Sequence, residues 1–146
     1  MSIAVDVSRD GVRIALSEQR VRAIVRTVCR RERVKEALIS IAFVRNAAIA
    51  RMNREFLGHA GATDVITFEL DDTTGARERV IVGDIYIAPD VARRNAMANR
   101  VGVREELTRL VVHGTLHVLG YTHSEGSNRT TGEMWRRQEE IVAAIV

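Results

Sequence analysis

The chain has 146 residues, of which 46% are hydrophobic and 28% charged, and its formal net charge is +3. This length suits one domain, and the composition excludes a chain that is disordered throughout. Its single cysteine, Cys29, excludes an intrachain disulfide framework and a cysteine-rich zinc module. We therefore expect one globular domain over residues 1–146 with no disulfide partner.

The periodicity of apolar residues predicts strands and helices that alternate at first and end in a run of helices. In chain order these are a strand over 2–7, a helix over 18–31 capped by Ser17, a strand over 37–44, a helix from an Asn46 cap to about 55, strands over 65–68 and 79–88, and helices over 89–99, 103–119 and 128–145. The short loop between the last two strands suits an antiparallel pair. This order predicts an α+β fold, α/β-like in its first half, with a small mixed sheet of about four strands packed against about five helices.

The cellular location is predicted from what the sequence lacks. The N-terminus reaches Asp6 after only a few apolar residues, too early for the apolar core of a signal peptide. No run approaches the roughly 20 apolar residues of a membrane span. Together with the single cysteine, these features predict a cytoplasmic protein that has no membrane partner.

The basic residues are almost all arginine, because Lys35 is the only lysine among 22 Lys and Arg residues. Guanidinium groups pair with phosphate through two hydrogen bonds, which makes nucleic acid a candidate partner. A net charge of +3 supports this only weakly, and an arginine-rich genome composition would explain the same bias.

Three of the four histidines fall within eleven residues. On the helix predicted over 103–119, His113 and His117 lie one turn apart on the same side, at the rim of the apolar face. Gly120 can end the helix and let the chain bring His123 to the same point. Three imidazoles with an open fourth position are typical of a catalytic zinc site. The sequence therefore predicts one zinc ion at the end of this central helix, with nickel, copper or another divalent ion as alternatives.

The same histidine spacing occurs in metzincin peptidases, which carry a glutamate directly after the first histidine as general base. Here that position is Gly114, so a peptidase would have no evident proton acceptor. We interpret Gly114 either as room for a bulky substrate group above the metal or as a close contact between helix and sheet. A zinc peptidase or amidase is therefore the less favoured enzyme class.

The segment from His113 to His123 reads H-G-T-L-H-V-L-G-Y-T-H. It resembles the signature H-G-x-L-H-L-x-G-Y-D-H of the YbeY-type endoribonucleases, also called rRNA maturation factors. The stretches A-T-D-V-I-T-F at 62–68 and G-D-I-Y-I at 83–87 are similar to two further family segments. The likeness spans most of the chain.

This resemblance implies a metal-dependent endoribonuclease that cleaves single-stranded RNA, with His113, His117 and His123 as the metal ligands. It also implies a part in maturing ribosomal RNA, notably the 3′ end of the small-subunit RNA, and in ribosome quality control. The small ribosomal subunit or its assembly factors would be partners, and the location would be the bacterial cytoplasm.

The chain departs from the family pattern at two positions. Leu57 stands where the family usually carries an arginine, and the resemblance implies that this arginine takes part in RNA cleavage. Because a positioned arginine can pair with phosphate, we expect the activity to be weak. Thr122 replaces an aspartate beside the third ligand and can orient an imidazole only weakly. A zinc-containing ribosome assembly factor without catalytic activity is therefore a further alternative.

Three other residues are candidates for supporting the metal or contacting RNA. His59, two residues after Leu57, either contacts phosphate or is a solvated loop histidine. Asp84 either faces the substrate groove or bonds the backbone at a strand edge. Glu106, seven residues before His113, either accepts a hydrogen bond from a ligand imidazole or lies on the surface. The sequence assigns no general base.

Overall fold

The computed structural model describes residues 2–70, 80–121 and 132–146, and these ranges contain four strands and five helices. In chain order they are β1 (Ser2–Arg9), α1 (Glu18–Arg31), β2 (Glu36–Phe43), α2 (Asn46–Leu57), β3 (Val65–Glu69), β4 (Ile81–Ile87), α3 (Pro89–Asn99), α4 (Val103–Val118) and α5 (Glu133–Ile145). The predicted α+β fold is confirmed. None of the described helices is long and apolar enough to cross a membrane.

The four strands form one mixed sheet in the order β1-β2-β4-β3. β1 pairs with β2 and β2 with β4 in parallel, whereas β3 runs antiparallel to β4. Parallel neighbours need long connections, and α1 lies in the first of them while α2 lies in the second. The predicted antiparallel pairing of the last two strands is confirmed.

Two helix boundaries differ from the sequence-based prediction. Arg45 occupies the N-cap position of α2, and Asn46 is the first helical residue rather than the cap. The same helix continues to Leu57, where Gly58 with a φ of 69° ends it in the left-handed conformation. The last helix is described from Glu133 onward, and its predicted start near 128 lies outside the described residues.

Helix α4 occupies the centre of the molecule. It packs on α1, α3, α5 and the sheet, and its buried side chains belong to the main core on one sheet face. Among the core members are Ile24, Val28, Ile39, Phe43, Ile85, Leu107, Val111 and Leu116. A smaller cluster on the opposite face joins α2 to the sheet. The helix that carries the histidine motif is therefore held from several sides.

Two glycines allow α4 to approach β4 closely. A Cβ added at Gly83 would lie 2.3 Å from Val118 Cγ1, and one added at Gly114 would lie 2.8 Å from Ile85 Cγ2. Any side chain introduced at position 114 would therefore point into the sheet. This supports the interpretation of Gly114 as a close contact between helix and sheet, and it disfavours the interpretation as space for substrate.

Burial makes Cys29 unreactive. The side chain lies in the core with none of its surface exposed, and this burial raises the pKa of the thiol to about 11. We expect no reaction of the folded chain with a thiol reagent at pH 8, because the thiolate is the reacting form. One thiol per chain should react after unfolding in guanidinium. Rapid labelling of the folded protein would show that α1 is not packed as described.

Candidate metal centre

Helix α4 brings two of the predicted metal ligands together. His113 and His117 lie on its last two turns, and both side chains are half-buried. Their Nε2 atoms are 3.1 Å apart, and the ring centroids are 4.6 Å apart at an interplanar angle of 79°. A spacing of four residues on a helix produces this proximity.

The Nδ1 atom of each ring is held by an oxygen acceptor. His117 Nδ1 lies 2.8 Å from the main-chain carbonyl oxygen of Tyr121, and His113 Nδ1 lies 2.6 Å from Gln138 Oε1. The amide nitrogen of Gln138 donates to the carboxylate of Glu139 at 3.1 Å, which fixes the amide oxygen towards His113. Because carbonyl oxygens only accept, we assign the proton of each neutral ring to Nδ1. Both Nε2 atoms are then unprotonated.

The geometry of the pair fits a metal ion. Two unprotonated Nε2 atoms bring lone pairs to within 3.1 Å of each other, an arrangement that a bound cation stabilises. Two Zn–N bonds of about 2.0–2.1 Å at a tetrahedral angle would separate the nitrogens by about 3.3 Å. Imidazoles with Nδ1 held by an acceptor are typical of metal-binding histidines.

The third predicted ligand, His123, lies outside the described residues, as does Thr122. Within the described ranges, no group of three or more histidine, cysteine, aspartate or glutamate side chains could hold a metal ion. The described part of the candidate centre therefore consists of the pair His113 and His117 and the groups that hold them.

The chain leaves α4 through a Schellman turn next to the pair. The N–H of Gly120 donates to the carbonyl of His117 at 3.0 Å, and the N–H of Tyr121 donates to that of Leu116 at 3.1 Å. Gly120 has a φ of 113°, a conformation that glycine adopts at little cost. The predicted role of Gly120 in ending the helix is confirmed.

Gln138 is hydrogen-bonded to an ionic network that contains Glu139 and Arg109. Arg109 Nε and Nη2 donate to the two carboxylate oxygens of Glu139 at 3.0 and 3.2 Å. Burial acts to raise the pKa of Glu139, but the hydrogen bonds from Arg109 and Gln138 outweigh it and lower that pKa. Glu139 therefore stays ionised at neutral pH and keeps its hydrogen bond to Gln138.

Glu106 takes part in this network. It is buried rather than on the surface, and its carboxylate accepts from Arg109 at 3.2 Å. Burial raises its pKa, and the bond with Arg109 opposes that rise. Gln138 holds the Nδ1 atom of His113, and the sequence analysis missed this residue. A signal was present, because Gln138 is the polar member of an apolar stripe between Met134 and Ile141 on α5.

The remaining candidates lie elsewhere on the fold. Leu57 and His59 are exposed at the end of α2 and in the loop that follows it. Asp84 accepts from Ser40 Oγ at 2.6 Å rather than bonding the backbone. Because neighbouring residues of a strand face opposite ways and Gly83 faces α4, Asp84 faces away from the histidine helix. There it lines a separate cavity of about 320 Å³.

Gln138 should control the affinity for metal. We expect Gln138→Leu to weaken zinc binding by about 10–100-fold, because His113 would lose the acceptor for its Nδ1 proton. Arg136→Gln, on the exposed side of the same helix, is the matched control and should bind zinc as the wild type does. Competition with a chromophoric chelator measures both affinities. Equal zinc affinity of Gln138→Leu and the wild type would contradict this role.

In sequence, this chain is similar to one family of known proteins. Residues 5–146 match the family model described as endoribonuclease YbeY. A protein named endoribonuclease YbeY from Syntrophus aciditrophicus is 30% identical over 142 residues, covering 97% of this chain and 89% of that protein. One of the same name from Nocardioides sp. is 36% identical over 135 residues, with coverages of 88% and 89%.

A solved structure shows the same fold. The solution structure of TM1509 from Thermotoga maritima matches with a TM-score of 0.63 and 23% identity, covering 97% of this chain and 88% of that one. The sequence matches extend over nearly the whole chain and include the histidine motif on which the resemblance was based. The chain therefore belongs to the endoribonuclease YbeY family.

Proposed function

We propose that the chain is a metal-dependent hydrolase that cleaves single-stranded RNA internally, with one ion held by His113, His117 and His123. The observation that carries this proposal is the pair of Nε2 atoms 3.1 Å apart, each on a ring whose Nδ1 is held by an oxygen. Family membership supports the reaction class. Zinc is favoured because imidazole nitrogen is among its common ligands, and nickel is the alternative.

A divalent ion at this centre would polarise a phosphoryl oxygen or supply hydroxide near neutral pH. The chain itself orients the two imidazoles and binds the polyanion. Arg51 and Arg54 are exposed on α2, the helix that ends at Leu57, and can pair with phosphate. Specificity would come from the ribosomal context more than from this chain alone.

The substrate that we propose is ribosomal RNA, notably the 3′ end of the small-subunit RNA. The small subunit or its assembly factors would present this RNA, in the cytoplasm and in ribosome quality control as well as in maturation. The support is the family membership together with a net charge of +3, which suits a polyanionic partner.

Cleavage of a labelled single strand tests the proposal. We expect internal cuts in a single-stranded RNA but not in a duplex of the same sequence, because unpaired backbone can reach the histidine pair. A chelator should stop the reaction, and added zinc should restore it. Cleavage that persists after the metal has been removed would contradict the proposal. Zinc binding with no cleavage of any single strand would favour the assembly-factor alternative.

The second candidate, a zinc-containing assembly factor without catalysis, is favoured by one observation. Leu57, at the position of the family arginine, exposes 48% of its surface and has no charge to offer a phosphate. The peptidase alternative is disfavoured, since a glutamate at Gly114 would be directed at Ile85 in the sheet.

We expect Leu57→Arg to raise the rate of RNA cleavage about tenfold. The reason is one charge-assisted hydrogen bond to phosphate, worth about 1.5 kcal/mol in the transition state. Leu57→Met is the matched control, because it adds no charge. Because we expect the gain in rate to need the metal, it should vanish in a His113→Ala background.

Two results would contradict the expected gain from an arginine at position 57. If Leu57→Arg changes little and Arg54→Ala lowers the rate, an arginine already present fills the role. If neither substitution alters metal-dependent cleavage, no arginine of this segment pairs with the phosphate. Initial rates on one labelled single-stranded RNA distinguish these outcomes.

A further inference from the structure

A buried carboxylate lies at the C-terminus of α1, far in sequence from the histidine motif. The side chain of Glu32 exposes only 7% of its surface. Its Oε1 accepts from the hydroxyl of Tyr121 at 2.5 Å, and its Oε2 accepts from Arg137 Nη2 at 2.7 Å. A buried carboxylate is stable only when it is hydrogen-bonded, so Glu32 holds the Tyr121 hydroxyl and the Arg137 guanidinium in place.

These contacts determine where Tyr121 lies. Its hydroxyl is bound to Glu32, and its N–H closes the Schellman turn on Leu116. Two anchored points, one at each end of the residue, leave its main-chain carbonyl little freedom. That carbonyl is the acceptor for His117 Nδ1, at 2.8 Å. The orientation of the His117 ring therefore depends on the position of Tyr121.

We infer that Glu32 and Tyr121, with Arg137 as their partner, are positioning residues for the metal centre. They act through the Tyr121 carbonyl, which keeps the His117 proton on Nδ1 and the lone pair of Nε2 directed at His113. This inference rests on the proposed metal site and adds to it residues outside the motif. Groups that orient a ligand imidazole typically change metal affinity by 10–100-fold.

The simpler role for these residues is to tie α1 to α5. Arg137 lies on α5 and Glu32 caps α1, so the bridge stabilises the fold whether or not metal is bound. If the bridge is purely structural, removing it should lower the melting temperature of the metal-free chain and leave its zinc affinity unchanged. A positioning role changes the zinc affinity as well.

The first experiment titrates zinc into the metal-free full-length Tyr121→Phe variant against a competing chelator. We expect its dissociation constant for zinc to rise about tenfold. Ile24→Val is the matched control, because it removes one buried methylene group from the core side of α1 and no hydrogen bond of the network. It should lower the melting temperature and leave zinc affinity as in the wild type.

The outcomes separate this inference from the site on which it rests. If the wild type binds no zinc, the proposed metal site is wrong, and the inference is overturned with it. If the wild type binds zinc and Tyr121→Phe binds it within twofold, the site stands and the positioning role is overturned. An equal loss of affinity in Ile24→Val would also overturn it, because general destabilisation would then explain the effect.

Variants of Glu32 test whether this residue acts on His117 through the carbonyl of Tyr121. Glu32→Gln keeps an oxygen acceptor for the Tyr121 hydroxyl and should bind zinc within about threefold of the wild type. Glu32→Leu has no acceptor and should lose about as much affinity as Tyr121→Phe. The double variant Glu32→Leu/Tyr121→Phe should lose no more than either alone, because both act on one carbonyl. If the two losses of zinc affinity multiply in the double variant, Glu32 does not act through Tyr121 and the inference is overturned.

Discussion

Replacing His117 with alanine is expected to remove nearly all bound zinc and to lower RNA cleavage at least a hundredfold. The loss should exceed the 10–100-fold typical of residues that only orient a ligand, because His117 itself supplies one of two Nε2 atoms that lie 3.1 Å apart. Metal content by elemental analysis and initial rates on labelled single-stranded RNA measure the two effects. Both should change together.

The fourth histidine provides the control for metal content. His59 is exposed in the loop after α2, so His59→Ala should keep the zinc of the wild type even if RNA binding changes. Full zinc occupancy in His117→Ala would contradict the assignment of the pair. Loss of zinc with undiminished cleavage would separate the metal from the reaction.

Gly83→Ala is expected to lower the free energy of unfolding by about 1–3 kcal/mol, the usual cost of overpacking a close-packed core. The new Cβ would lie 2.3 Å from Val118 Cγ1. A β-branched valine on a helix has one strongly preferred rotamer, so helix α4 has to move instead. Since Val118 follows His117 directly, zinc affinity should fall with stability. Denaturant titration and zinc competition measure the two quantities.

A double-mutant cycle identifies the contact responsible. In a Val118→Ala background both Cγ atoms are gone and the Cβ of residue 118 remains at 3.1 Å, so Gly83→Ala should cost less there than in the wild type. If Gly83→Ala destabilises the chain equally in both backgrounds, the strain does not arise between β4 and α4. If it costs nothing in the wild type, the helix lies farther from the sheet than described.

The features that could be predicted from the sequence are local ones. The spacing of His113 and His117 requires only a helix, and the turn at Gly120 requires only a left-handed glycine. The antiparallel pairing of β3 and β4 follows from the short loop between them. Each of these depends on residues a few positions apart, so that periodicity and turn chemistry are sufficient.

The residues that hold the histidine rings depend on long-range packing. Gln138 is 25 residues from His113, and Glu32 is 89 residues from Tyr121, and no motif joins either pair. They meet only because α1 and α5 both pack against α4. Asp84 shows the same limit, since its strand was predicted but the face covered by α4 was not. Alternation of side chains along a strand defines the two faces of the sheet, but it does not indicate which face helix α4 covers.

Calorimetric titration of zinc into the metal-free wild type tests the central claim most directly. The structure assigns both neutral rings an unprotonated Nε2, so at pH 7.5 we predict that one ion binds per chain. Affinity should fall as the pH drops through the range in which histidines become protonated, because only neutral imidazole binds metal. Absence of binding, or binding of the same strength in His113→Ala, would contradict the account.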